Sequence, residues 1–343
     1  MSRFKIYYLA SDRPGLKPDC AEDRADISLL RALNVSFEVY YNESRVDFSS
    51  PDLGMDRESI TVPEDSYSLY IVRNNIDIFR EIRGPKVWSG IPYNEEAFTT
   101  ADAVVTYSCA WKDILEGFND DPVHPAHTGD LFPDTIVRPG SIISLPNILD
   151  TALRRESRPA KVRDYRMKFG GGFVLAKMGA TDERNIPVEF IAKIDTLRER
   201  VPNLSVVFGG TEKTDLNSGQ IVQAGIISFE DMPEAIDACD LLLIWSDVRD
   251  EWSPSGLICD AISRQKPALV PRNTTSEELL GSSYPMFYGE VDEMLDQIHR
   301  YYSDTRYREG ACDYMKLLYG RYSDDRVAHE LAEKLRPIMR PPV

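Results

Sequence analysis

The segment 251–267, EWSPSGLICDAISRQKP, combines acidic side chains, small residues and an apolar helical pattern in a spacing that suits a nucleotide. Small residues at 253–256 predict a turn before a helix that closes on Lys266 and Pro267. Backbone amides at the start of such a helix are open to a ligand, and the positive end of the helix favours a phosphate. Asp260, inside the helix, can accept hydrogen bonds from a ribose. The segment therefore predicts a nucleotide-binding strand-turn-helix, and an ordinary capped helix on an α/β sheet is the alternative.

Short, nearly all-apolar strands alternate with helices along the chain, and these elements must hold that segment in place. Such alternation predicts an α/β protein whose parallel sheets are covered on both faces. The predicted strands are 4–10, 36–41, 68–73, 85–89, 103–108, 135–139, 141–146, 173–178, 204–210, 221–228, 240–246 and 267–271. Helices are predicted at 23–33, 188–201, 231–239, 290–304 and 306–338.

The chain of 343 residues is long enough for two domains, each with its own core. The stretch 151–168, TALRRESRPAKVRDYRMK, is charged and has no strand core, so we predict a hinge there between domains 1–150 and 169–318. Two successive doubly wound, Rossmann-like halves joined by a hinge predict a binding cleft between them.

Composition narrows the class of protein. Apolar residues make up 42% and charged residues 28%, as in soluble globular proteins. The net charge of −16 argues against a nucleic-acid partner and disfavours a strongly anionic membrane surface, while peripheral membrane contact stays open. Residues 1–10 are too short and polar for a signal peptide, and no apolar run reaches the length of about 18 residues needed for a transmembrane segment.

Cysteine and histidine usage points to a reduced compartment and to no metal site. The five cysteines are odd in number and have no CxxC spacing, so we expect free thiols and a cytoplasmic location. His124 and His127 lie in a turn-rich stretch, and the four histidines form no set typical of zinc ligands.

The second half carries motifs in a recognisable order. DAISRQKP (260–267) falls on the second acid and the following residues of the pattern E-x-F-G-x-x-x-x-E-A-x-A-x-G-x-P, and Glu251 lies near the first acid. In this pattern the chain resembles the retaining, GT-B-fold glycosyltransferases of glycosyltransferase family four. Further segments match landmarks of that family in order: TADAVVTYSCAWKDIL (100–115), LPNILD (145–150), FVLAKM (173–178) followed by Arg184, SVVFGG (205–210), ACDLLLIWS (238–246) and YGRYSDDRVAHELAEKL (319–335).

The resemblance implies a GT-B fold and transfer of a sugar from a nucleoside-diphosphate sugar to an acceptor hydroxyl with retention. It also implies that the segment 319–343 forms a closing helix that packs back on the N-terminal domain. The chain contains no Asp-x-Asp, so no metal or other cofactor is expected. Lys177 and Arg184, in the cation positions of the family, would meet the charge that develops on the leaving diphosphate. The alternative for both is a solvated charge on the loop after a strand.

The resemblance also assigns binding roles. Asp260 would bind the ribose, Glu251 would bind hydroxyls of the donor sugar beside the two cations, and the base would lie against the strand-turn 225–231. The predicted donor-binding residues are Gly15, Gly209, Gly210, Ile227, Ser228, Trp252, Ser255, Gly256, Leu257 and Asp260. Arg13, Arg24, Arg73 and Asn74 are candidates for an acceptor that is a carbohydrate, a lipid-linked molecule or a small molecule; for the last three, an ordinary surface role is an equal alternative.

Departures from the family pattern keep a second hypothesis open. The second acid is Asp260 rather than Glu, it follows Glu251 at nine rather than eight residues, and Ser255 replaces the usual turn glycine. The first domain offers only Pro14-Gly15 where the family has a double glycine. These changes are compatible with a non-catalytic sugar-nucleotide-binding relative or partner subunit. Another GT-B enzyme, such as a sugar-nucleotide epimerase, fits the landmarks less well.

Overall fold

The protein forms two compact units. Unit 1 comprises Met1–Ile148 and Asp324–Val343, and unit 2 comprises Leu149–Ser323. The stretch 151–168, where we predict a hinge, therefore lies inside unit 2. The computed structural model describes residues 6–9, 37–41, 44–46, 55–59, 69–73, 79–80, 82, 86–89, 100–106, 142–144, 151–178, 188–209, 221–245, 256–322 and 324–335.

Unit 1 is built on a sheet that is mostly parallel. Its described strands are β1 (Ile6–Leu9), β2 (Phe37–Tyr41), β3 (Ser44–Val46), β4 (Met55–Ser59), β5 (Leu69–Arg73), β6 (Lys86–Ser89), β7 (Ala103–Thr106) and β8 (Ile142–Ser144). The spatial order is β4-β3-β2-β1-β5-β6-β7-β8. β3 pairs antiparallel with both β2 and β4 at one edge, and the other neighbours pair parallel. The chain order changes direction at β1, where Tyr7 pairs with both Glu38 and Tyr70.

Unit 2 has a fully parallel sheet in its described residues. The strands are β9 (Phe173–Met178), β10 (Leu204–Gly209), β11 (Ile221–Gly225), β12 (Leu241–Leu243), β13 (Ala268–Pro271) and β14 (Phe287–Tyr288). Their spatial order, β11-β10-β9-β12-β13-β14, is the 3-2-1-4-5-6 order of dinucleotide-binding folds. The order reverses between β9 and β12, where Leu175 pairs with Leu241. In such sheets, ligands bind outside the carboxyl ends of the strands at this switch point.

Helices cover the sheet of unit 2, and α9 belongs to unit 1. They are α1 (Pro159–Lys168), α2 (Val188–Ala192), α3 (Ile194–Arg200), α4 (Met232–Asp237), α5 (Gly256–Ser263), α6 (Thr274–Leu280), α7 (Val291–Ser303), α8 (Thr305–Arg321) and α9 (Asp324–Leu335), with short 3-10 turns at Thr151–Arg154 and Phe229–Asp231. Side chains cap two of them: Asn273 accepts from the amide of Ser276 at 2.8 Å, and Asp304 accepts from that of Tyr307 at 3.1 Å.

The core of unit 2 lies on both faces of β9 and β10. Val174, Leu175 and Val207 are essentially inaccessible, and they belong to the same cluster as Phe190 and Ile258 from the covering helices. Strands that are buried on both faces consist of continuous apolar runs, so the sequence predicts the strands of unit 2 well. Among the residues that the structure describes, no helix is long and apolar enough to cross a membrane.

Candidate functional site

The carboxyl end of β9 presents a buried cation at the switch point of unit 2. Lys177 is the penultimate residue of β9, and it pairs with Phe208 of β10. Only 3% of its surface is exposed. Lys177 therefore lies in the strand and is buried, which differs from the solvated loop charge that the sequence offers as the alternative. Buried lysines are rare because the ammonium group loses hydration, so this one stands out.

The end of β10 packs directly against the turn that follows β11. A Cβ built on Gly209 would lie 2.8 Å from Cδ1 of Ile227 and 3.2 Å from Sδ of Met178. A Cβ at position 209 would therefore force the end of the Ile227 side chain to shift and would crowd Met178. Ile227 is buried, and the neighbouring Ser228 is exposed. Gly225 supports the turn with a φ of +70°, a conformation that side-chain-bearing residues rarely adopt.

Helix α5 begins at Gly256, one of the predicted donor-binding residues, and carries two more of them, Leu257 and Asp260. Ile258, Ala261 and Ile262 are buried against the sheet, whereas Leu257 and Asp260 are partly exposed. The chain passes from β12 through α5 to the parallel strand β13, so the start of the helix faces the carboxyl edge of the sheet. Since β12 neighbours β9, the start of α5 and Lys177 share the switch point.

Several predicted site residues lie outside the described part of the chain and stay predictions. They are Arg13, Gly15, Arg24, Asn74, Arg184, Gly210, Glu251, Trp252 and Ser255. Arg73 is described as the last residue of β5, at the carboxyl end of the unit 1 sheet. Within the described residues, no group of three or more His, Cys, Asp or Glu could hold a metal ion.

An aromatic pair that the sequence analysis did not single out lies at the same edge of unit 2. The half-buried Trp245 follows β12 closely and stacks on Tyr288, with ring centroids 6.4 Å apart and planes 21° apart. The hydroxyl of Tyr288 donates to the carbonyl of Ile244 at 2.7 Å, which fixes its ring. Burial raises the pKa of Tyr288, so the hydroxyl stays a donor. The tryptophan at the end of a predicted strand is a sequence signal for an aromatic site at this edge. No sequence pattern pairs Trp245 with Tyr288, because the two residues are far apart in the chain.

A second group that the sequence analysis missed surrounds Glu234 in α4. Its side chain is fully buried, and it accepts from Nη1 and Nη2 of Arg155 at 2.7 and 2.6 Å and from Nε of Arg158 at 2.8 Å. Burial by itself raises the pKa of Glu234, but the hydrogen bonds from the two arginines outweigh burial and hold that pKa well below its usual value. The carboxylate is therefore ionised at neutral pH. This cluster connects the stretch predicted as a hinge to the turn after β11.

Neither a family model nor a curated protein matches the chain. Solved structures match it along nearly its whole length. HepE from Anabaena, in complex with UDP and glucose, is 16% identical with a TM-score of 0.65, over 97% of this chain and 100% of that one. Sucrose-phosphate synthase from Thermosynechococcus elongatus is 10% identical with a TM-score of 0.66, over 98% of this chain and 99% of that one.

The α,α-trehalose 6-phosphate synthase from Burkholderia multivorans matches equally well, at 10% identity and a TM-score of 0.66, over 98% of this chain and 99% of that one. These neighbours are GT-B proteins, and the two mostly parallel α/β units described above agree with that architecture. The chain thus has the GT-B fold, as the sequence predicts.

Proposed function

We propose that this protein is a glycosyltransferase that moves a sugar from a nucleoside-diphosphate sugar to an acceptor hydroxyl, with retention and without a metal ion. One observation carries the proposal: Lys177, the Gly209–Ile227 contact and the start of α5 converge on the carboxyl edge of a sheet with dinucleotide-fold strand order. Structures of Anabaena HepE with UDP and with UDP-glucose support it, because they have the same fold. The family-four resemblance of segment 251–267 supports it from the sequence.

The chemistry needs a counter-charge for the leaving group. The bond between the anomeric carbon and the diphosphate oxygen breaks, a bond from the acceptor oxygen to that carbon forms, and the acceptor proton goes to an oxygen of the leaving diphosphate on the same face. Lys177 lies at the edge where we place the diphosphate, and its low exposure increases the strength of its field. Arg184 is the proposed second cation, and Glu251 the proposed partner of the sugar hydroxyls.

Donor binding is assigned to three elements. The amides at the start of α5, from Ser255 to Leu257, would hold the diphosphate, and Asp260 on the same helix would accept from the ribose hydroxyls. Backbone groups of the buried Ile227 and of the exposed Ser228 would read the edge of the base. Gly209 at the end of β10 is a further proposed donor contact, and Gly210, Gly15 and Trp252 are the remaining ones proposed from the sequence.

The acceptor is assigned to unit 1. Arg73, at the carboxyl end of β5, lies beside the switch point of that sheet, where the strand order reverses between β1 and β5. Arg13, Arg24 and Asn74 are the other proposed contacts. The acceptor class is a carbohydrate, a lipid-linked molecule or a small molecule.

The non-catalytic alternative is favoured by the altered acidic motif, in which Asp260 is one methylene shorter than the family's second acid. Two measurements separate the hypotheses. A thermal-shift panel of uridine, guanosine and adenosine diphosphate sugars identifies the donor, because a ligand that binds only the folded state raises its stability. Release of nucleoside diphosphate from that donor then reports turnover. Stabilisation without release would favour the binding protein, and no stabilisation by any donor would contradict the proposal.

A further inference from the structure

The segment 153–158, which follows the start of unit 2, contacts residues that adjoin two of the elements assigned to donor binding, the turn after β11 and α5. On one side, Arg155 and Arg158 reach α4 and the turn before it. On the other side, the carbonyls of Leu153 and Arg155 accept from Arg264, which follows α5. All of these residues belong to unit 2. We call this segment the brace.

Glu234 fixes the brace to α4. Its buried carboxylate also accepts from the backbone amide of Arg158 at 3.0 Å, in addition to the guanidinium groups of Arg155 and Arg158. A buried carboxylate is tolerated only while such partners are in place, and removal of one partner leaves an uncompensated charge. The two arginines are therefore held in one arrangement as long as Glu234 is ionised.

The same arginines hold the end of the base-reading turn. The carbonyl of Glu230 accepts from Nη2 of Arg155 and, at 3.1 Å, from Nη2 of Arg158. Asp231 accepts from Arg158 at 2.8 Å, and the amide of Asp231 donates back to the carbonyl of Ser228 at 2.9 Å. The position of Ser228, which we assign to the base, thus depends on the brace through Asp231.

The other side of the brace is fixed to α5. Arg264 lies one turn after Asp260, and its guanidinium donates to the carbonyls of Leu153 at 2.6 Å and Arg155 at 2.7 Å. It also donates to Oγ of Ser157 at 2.9 Å and forms an ion pair with Asp237 of α4. A single short segment therefore connects the turn proposed for the base with the helix proposed for the ribose and diphosphate.

We propose that the brace sets the spacing between the turn at Ile227–Ser228 and α5, with Glu234 as a positioning residue that determines how well the site distinguishes one base from another. This inference rests on the proposed function. Glu234 acts through Arg155 and Arg158 and need not touch the ligand. Its loss should alter binding of the base far more than binding of the diphosphate.

The test uses the full-length protein with Glu234→Gln and, as a milder change, Arg158→Gln. Arg158 is half exposed, so its replacement spares the core. Calorimetry gives Kd for UDP, GDP, ADP and inorganic diphosphate. We expect the Kd of the preferred nucleotide to rise about tenfold and the three nucleotide Kd values to become more similar. The Kd of inorganic diphosphate should change less than about twofold. A loss of overall stability would not produce this contrast.

Arg166→Gln is the matched control. Arg166 lies in α1, directly after the brace, and donates to the carbonyls of Ala238 at 2.8 Å and Gly172 at 2.6 Å, at the amino end of β9. The Arg166→Gln substitution should lower the Tm of the protein without altering the Kd of any of the four ligands. The inference would be overturned, and the proposed function left standing, if both test variants bound nucleotides with wild-type affinity. The same holds if inorganic diphosphate lost as much affinity as the nucleotides. Failure of the wild-type protein to bind any nucleotide would overturn the proposed function, and the inference with it.

Discussion

A Cβ on Gly209 would lie 2.8 Å from Cδ1 of Ile227, so the end of β10 and the turn after β11 approach each other as closely as glycine allows. This contact connects two residues that are 18 positions apart in sequence and that we assign to the same ligand. The buried Ile227 side chain fills the space that a Cβ at position 209 would need.

Gly209→Ala should displace the turn. We expect the free energy of unfolding to fall by about 1–3 kcal/mol, the range for overpacking a buried site, and nucleotide affinity to fall with it. Denaturant unfolding and calorimetry measure the two effects. Gly310→Ala in α8 is the control, because a Cβ there meets nothing within 4 Å and alanine favours a helix. A Gly209→Ala protein of unchanged stability and affinity would show that the contact constrains nothing.

Asp260→Asn should weaken binding of the nucleoside diphosphate by about 1.5–3 kcal/mol, because a neutral amide is a poorer acceptor for two ribose hydroxyls. The measurement is calorimetric titration of protein whose circular dichroism is unchanged. Asp292→Asn, at an exposed acid in α7, alters the net charge equally and should have no effect. Equal affinities of the Asp260 variant and the wild-type protein would remove Asp260 from the site.

Lys177→Met should lower kcat more than it raises KM, because the charge that Lys177 meets grows in the transition state. Methionine keeps much of the apolar volume of this buried side chain, so the variant should fold. The loss expected for one such donor is on the order of 3–4 kcal/mol. Steady-state kinetics with the donor identified by the thermal-shift panel measure it, and a pure KM effect would contradict the assigned role.

EDTA should leave transfer unchanged, since Lys177 and Arg184 are proposed to replace a metal ion. The assay compares initial rates with and without chelator, at constant ionic strength. Activity that disappears with EDTA and returns with magnesium or manganese would count against the metal-free scheme.

Acid should destabilise unit 2 through the Glu234 cluster. A hydrogen bond from Lys161 lowers the pKa of Asp231, and hydrogen bonds from Arg155 and Arg158 overcome burial to lower that of Glu234, from usual values of 3.8 and 4.5. Because both pKa values are lower in the folded state, their stabilisation is fully present above the usual values and is lost as pH falls below them.

Unfolding by urea between pH 7 and pH 3 measures this loss. Glu234→Gln removes one titrating group, so its free energy of unfolding should be lower at pH 7 and should depend less on pH below about 4.5 than that of the wild-type protein. Parallel pH profiles for the two proteins would mean that Glu234 is not held ionised by its arginines.

The sequence predicts the strands of unit 2 closely, because strands buried on both faces need continuous apolar runs. The observed strand Phe173–Met178 has the predicted bounds, and Leu204–Gly209 covers the described part of the predicted strand 204–210. Other predicted strands extend too far: 221–228 ends at Gly225, and 240–246 covers only Leu241–Leu243. Apolar residues also occur in the turns at the carboxyl edge, where packing rather than sheet pairing buries them.

Elements without an apolar pattern were missed. Helix α1 (Pro159–Lys168) has no buried residue, so its charged sequence predicts a hinge and gives no signal of a helix. The antiparallel strands Ser44–Val46 and Met55–Ser59 were missed for the same reason, since both are short and polar. The predicted helix 188–201 is two helices, α2 and α3, separated at Lys193.

What the sequence by itself determined is the fold class and the helix within segment 251–267, observed at Gly256–Ser263, because helical and strand periodicity are local properties. Only the tertiary structure decided which charges are buried and what they touch. Arg155 and Glu234 are 79 residues apart, and Leu153 and Arg264 are 111 apart. Contacts between residues so far apart along the chain depend on the order of the strands in the sheet, and no local sequence pattern encodes that order. The sequence therefore shows only that the brace is a charged segment. The residues that it contacts are known only from the tertiary structure.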